Sequence, residues 1–261
     1  MRSYILTLLV AQAFWVAIIF LELPIAQTFA VMTVPFLIEL LGPYLAEGRG
    51  EGTPWHPHHI AERYGLFVII ALGEGVVGTV ASLSAIVQEA GWSVDAALVA
   101  VAGIGLTFGL WWSYFLMPSG RLLHEDPGRS FFWGYGHMVL FAAIAATGAG
   151  LHVAAYDIEH KAHISATATV LAVAVPVALF VVSKFVIFAR LAGVPLRAFG
   201  GYLLTAFTLI GAAVGLASLG VPMTYCLVVL TLAPAALVAV YELTGHAAVA
   251  RLMAKEAQTL H

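Results

Sequence analysis

The chain has 261 residues, of which 62% are hydrophobic and 10% charged, with a formal net charge of -3. Soluble chains run at roughly 45–50% and 25%, so this much apolar surface does not fit one water-soluble core, and the weak charge excludes a phosphate-gripping nucleic-acid binder. The bilayer is the solvent and a partner. Lipid offers backbone amides no hydrogen bonds and the two-residue alternation of barrel strands is missing, which leaves an all-α transmembrane bundle.

Apolar runs bounded by Pro, Gly and charge predict about eight spans, at 4–22, 25–46, 62–87, 95–117, 131–153, 166–189, 201–218 and 222–243. The first run continues straight into the second without a small-residue cleavage site, so it reads as a retained helix. Loops are short, and residues 1–261 read as one membrane domain. With eight spans, Arg2, Arg49, Arg121, Arg129, Arg190, Arg197, Arg251 and Lys255 share one side, against Lys161 on the other. The positive-inside rule then places both termini in the cytoplasm. Pro35, Pro176 and Pro234 are the candidate positions for interrupted spans, as carrier sites often require. Gly105-x-x-x-Gly109 and Gly211-x-x-x-Gly215 offer close-packing faces. Cys226 has no second thiol with which to pair.

The third span is the informative one. At about 100° per residue, His59, Glu62, Arg63 and Glu74 share one face, continued by Val77, Ala81, Ser84 and Gln88, and Glu74 lies about 18 Å beyond Glu62. A carboxylate at mid-membrane costs at least about 2.5 kcal/mol, so this polar stripe is expected to face the bundle interior, with a carboxylate close to Arg63. A bland alternative, an ion pair that fixes packing, has equal weight for Glu74 and more for Glu62 and Arg63. In the fifth span, His137 sits about 9 Å in, one turn beyond Trp133, and is expected to join the stripe in a polar cluster on the cytoplasmic side. Glu39 and Glu242 lie at similar depth. Lys184 reads as a snorkelling cation, and Trp111, Trp112 and Tyr114 as a headgroup-level belt. His56, His58 and His59 with Glu62 make a weak metal set, and no metal or cofactor is expected.

The run H-x-x-E-R-x-G-L-x-x-I-I-x-L-G-E from His59 to Glu74 resembles the bacterial low temperature requirement A family. Trp111-Trp112-x-Tyr114-Phe115 and Trp133-x-Tyr135-Gly136-His137, followed by the Gly148 region, agree with it. The resemblance implies a polytopic membrane protein and brings no mechanism. It also implies a front half with an E-x-x-F-D-L-x-F-V motif, which this sequence lacks. The chain therefore reads as the rear two-thirds of the family pattern, acting alone, as a homo-oligomer that replaces the missing half, or as a truncated product.

The functional expectation is a proton-coupled secondary transporter of an unknown small solute in a bacterial plasma membrane, with His59, Glu62, Arg63, Glu74, Trp133 and His137 as its polar site. The alternatives are a membrane enzyme acting on a lipid or isoprenoid, and a structural or regulatory membrane protein. No residue is singled out as catalytic, because neither a nucleophile elbow nor a phosphate loop accompanies the carboxylates.

Overall fold

The computed structural model describes residues 2–47, 54–158 and 164–245, and every described regular element is helical. In chain order these are α1 (Arg2–Phe20), α2 (Ile25–Glu47), α3 (Pro57–Ala90), α4 (Val94–Phe115), α5 (Ser119–Glu125), α6 (Ser130–Ile158), α7 (Ala166–Ala192), α8 (Gly200–Ser218) and α9 (Met223–Val240). A π-helical turn, Tyr241–Gly245, continues α9. Seven of the described helices are long and apolar enough to cross a membrane, and Tyr4–Phe20 is apolar but shorter. Arg49, Lys161, Arg251 and Lys255, on which part of the charge asymmetry rests, lie outside the described residues.

Two compact units divide the chain, Met1–His56 and Pro57–His261. The first is the α1–α2 pair. Glu39 accepts hydrogen bonds from Gln12 Nε2 (3.2 Å) and Trp15 Nε1 (3.1 Å), so this carboxylate ties its own hairpin together.

The second unit is built on small residues. Without a hydrophobic drive between helices in lipid, close backbone approach and interhelical hydrogen bonds must hold the bundle. Facing α6, α3 places Gly78 and Ser82, and facing α4 it places Gly75 and Thr79, all buried. A Cβ on Gly78 would come within 2.5 Å of the Gly148 carbonyl oxygen, and one on Gly148 within 2.5 Å of the Glu74 carbonyl carbon. Ser82 Oγ then donates to the Leu151 carbonyl (2.7 Å). Contacts run in the same chain direction along both helices, from Tyr64 with Trp133 to Ser82 with Leu151, so α3 and α6 are parallel. Similarly α4 meets α9 where Thr231 Oγ1 donates to the Ala102 carbonyl (2.8 Å) and Gly109 lies against Pro234.

The two G-x-x-x-G pairs therefore part company. Gly105 and Gly109 pack against Thr231 and Pro234, whereas added Cβ atoms on Gly211 and Gly215 would meet nothing within 4 Å. Nor do Pro35, Pro176 and Pro234 break their spans, since α2, α7 and α9 run through them. The ends are set locally. Ser93 and Ser165 cap α4 and α7 by accepting from Ala96 and Ala168 N–H, and Gly193, at φ 75°, takes the left-handed position that closes α7. Arg129 Nη1 adds two bonds to the last carbonyls of α7, at Arg190 (3.0 Å) and Leu191 (2.9 Å).

Candidate functional site

The third span carries two stripes. Its buried stripe is Gly65, Val68, Leu72, Gly75, Gly78, Thr79, Ser82, Ala85 and Ile86. His59, Glu62, Arg63 and Glu74 are all exposed and, at 100° per residue, centre about 155° away from it. The expected inward orientation is thus reversed, because the face that packs in a bilayer is the one with small residues. Among the described residues no carboxylate pairs with Arg63. Nor do three or more described His, Cys, Asp or Glu side chains gather as a metal set.

Glu74 nevertheless has a polar partner. Its Oε1 lies 3.4 Å from Nε2 of His152 on α6, with the two side chains 47% and 31% exposed. Glu74 is 17 residues into a 34-residue helix, its midpoint. Beside it, Ile70, Ala71, Ala145, Ala146 and Ala149 line an open groove of about 490 Å³ between α3 and α6. The alanines leave the carboxylate accessible, whereas larger side chains there would fill the groove. His152 was missed by the sequence reading. It lies one turn beyond Gly148, whose missing side chain lets Glu74 approach α6, and an imidazole inside an apolar span was itself the available signal.

His137 belongs to a different environment. It is fully buried, and Nδ1 lies 2.7 Å from the Trp133 carbonyl oxygen. A carbonyl can only accept, so Nδ1 carries a proton, and in the uncharged ring Nε2 accepts from the Tyr114 hydroxyl at 3.0 Å. Four rings enclose the imidazole, with centroids at 4.3 Å (Trp133), 5.1 Å (Tyr64), 5.7 Å (Tyr114) and 5.7 Å (Phe141). Tyr64, on the inward side of α3, supplies the link to the third span, and no member of the charged stripe touches the ring among the described contacts. Trp133 is 1% exposed and its Nε1–H has no hydrogen-bond partner among the described residues.

Tyr114 is likewise buried, which removes it from the expected aromatic belt, while Trp111 and Trp112 are exposed. Trp112 Nε1 donates to Glu242 Oε1 (3.2 Å), joining α4 to the π-helical turn. Lys184 does not snorkel, being only 5% exposed.

The family model described as bacterial low temperature requirement A protein (LtrA) matches residues 1–234. The chain belongs to that family. The match spans α1 to α8 and most of α9, and with them the His59–Glu74 motif, the His137 box and His152. No curated protein and no solved structure matches this LtrA chain significantly.

Proposed function

We propose that this LtrA chain is a proton-coupled carrier of a small solute in which Glu74 and His152 form the proton-handling pair. The observation that carries the reading is the 3.4 Å approach of these two groups halfway along α3. A carboxylate at that depth is costly when charged. Taking up a proton, or holding a charged imidazole beside it, lowers the cost, and the two groups can trade that proton between them. The groove of about 490 Å³ falls in the size range of small-molecule sites. Along the outer face of α3, His59, Glu62 and Arg63 mark a polar approach to it from the helix start.

In this reading both termini face the cytoplasm of a bacterial plasma membrane. Reporter fusions at each end test the orientation, and a periplasmic signal from either terminus overturns it. The transport reading is tested in proteoliposomes that contain a pH-sensitive dye, challenged with pools of amino acids, sugars, organic acids and inorganic ions. At least one pool should drive proton movement across the wild-type membrane, with most of that movement lost in Glu74→Gln. Silence with every pool, or wild-type flux in Glu74→Gln, sinks the proposal.

A further inference from the structure

A second cavity lies away from the Glu74 groove, where the ends of α4, α7, α8 and α9 converge. It has a volume of about 50 Å³ and is lined by Leu116, Met117, Phe185, Phe188, Tyr202 and Tyr241 together with Lys184. The wall is an aromatic cage, with the Phe185 ring 5.3 Å from Phe199 and 5.8 Å from Tyr202. Tyr241 enters it from the π-helical turn, a deviation from α-helical winding that is frequent at functional sites.

Lys184 is what makes this cavity chemical. It lies about 12 Å inside the end of α7 by helical rise and is 95% buried by its 5% exposure. Among the described residues its amino group has no carboxylate partner, and it sits over the face of Phe185, 4.9 Å from Nζ to the centroid. In its protonated form Lys184 presents three N–H donors and a full charge. One ring face offsets part of that charge and accepts none of the donors in ordinary geometry. Water in the cavity would satisfy the donors and leave the charge unbalanced. An anion does both. A small free anion gains nothing from walls of Leu116, Met117 and Phe188, whereas an apolar tail does.

We propose that the Lys184 cavity binds the anionic headgroup of an amphiphile, a carboxylate or phosphate on an alkyl or isoprenoid chain. Lys184 receives the headgroup, the hydroxyl-bearing rings of Tyr202 and Tyr241 stand beside it, and the chain lies against the phenylalanines. This site is independent of the Glu74 groove, so either assignment stands if the other fails.

The test uses the full chain in a neutral maltoside detergent, with laurate, dodecyl phosphate, dodecanol and acetate as probes, read by native mass spectrometry and by the shift in Tm. Laurate, dodecyl phosphate or both should bind and raise Tm, with whichever binds identifying the headgroup chemistry. Lys184→Met should weaken that binding about tenfold or more, and Lys184→Arg should retain most of it. Ala198→Trp places bulk at the cavity wall from an exposed position and should also weaken binding, so it decides the matter if Lys184→Met does not fold. Failure of both anions to bind overturns the proposal. So does equal binding of dodecanol or acetate, or unchanged binding in the variants.

Discussion

His137 and His152 stand 15 residues apart on one helix, about 22 Å by its rise, and have opposite surroundings. The first is sealed in a box of four rings with both nitrogens bonded. The second is about one-third exposed beside a carboxylate on a groove of alanines. Every hydrogen-bonding direction of the first is already used, so it holds α3, α4 and α6 in place. The second has one nitrogen beside a carboxylate and the other without a partner among the described residues. Residue type and depth in the span are therefore poor guides to role here, and the neighbours on α3 and α4 decide it.

Removing the sealed histidine should have the largest effect. His137→Ala empties the centre of the aromatic box and leaves the Tyr114 hydroxyl without its acceptor. The expected loss is about 2–5 kcal/mol, as for cutting a packed side chain of that size back to alanine. Folded yield and Tm in detergent measure it. A variant that folded at wild-type level but lost transport would instead make His137 part of the mechanism and dissolve the contrast with His152.

Next comes the seam on which both histidines depend. Gly148→Leu drives a side chain into the Glu74 backbone, where even a Cβ meets the carbonyl carbon at 2.5 Å, and the expected cost is about 1–3 kcal/mol from overpacking. Since this substitution pushes α3 and α6 apart, it should also weaken the Ser82 bond to Leu151, seen as faster amide exchange along that stretch. Tyr114→Phe is milder. It keeps the ring and deletes the donor to His137 Nε2, for which about 1 kcal/mol is expected. An unchanged Tm would show that the bond at 3.0 Å contributes nothing to the box.

Much of this fold was legible because lipid makes length and hydropathy decisive. The eight predicted spans match α1 to α4 and α6 to α9 within a few residues at most ends, while α3 and α6 extend further. The extension of α3 begins at Pro57, well suited to a first helical turn. The short α5, with its Arg121–Glu125 pair, is too polar and brief to register as a span. At the site, helical periodicity correctly gathered His59, Glu62, Arg63 and Glu74 on one face and misjudged its direction. The cost of charge in lipid argued inward, but Gly65, Gly75, Gly78 and Ser82 already occupied the packing face, and their spacing was the better signal. Lys184 fails in the opposite sense. Depth alone suggested escape to the headgroups, and only the convergence of α4, α8 and α9 around it, a long-range fact, encloses it.

The smallest structural effect is expected at the open pair, and it separates the two histidines most sharply. Glu74 and His152 are partly exposed and meet at 3.4 Å, a longer contact than a well-formed charge-assisted bond. Polar contacts between membrane helices average about 0.6 kcal/mol, so His152→Gln and Glu74→Gln should each leave Tm nearly where it was. Glutamine keeps the length and hydrogen bonding of either side chain to a first approximation while removing its ability to exchange a proton. If the pair handles protons, both variants should lose solute-dependent proton movement in liposomes while folding normally, and the double variant should be no worse than either single one, because the two groups act as a unit. Additive losses would assign the two residues separate roles. A large drop in Tm with transport intact would make the open pair a second structural lock, and the contrast along α6 would then be one of exposure alone.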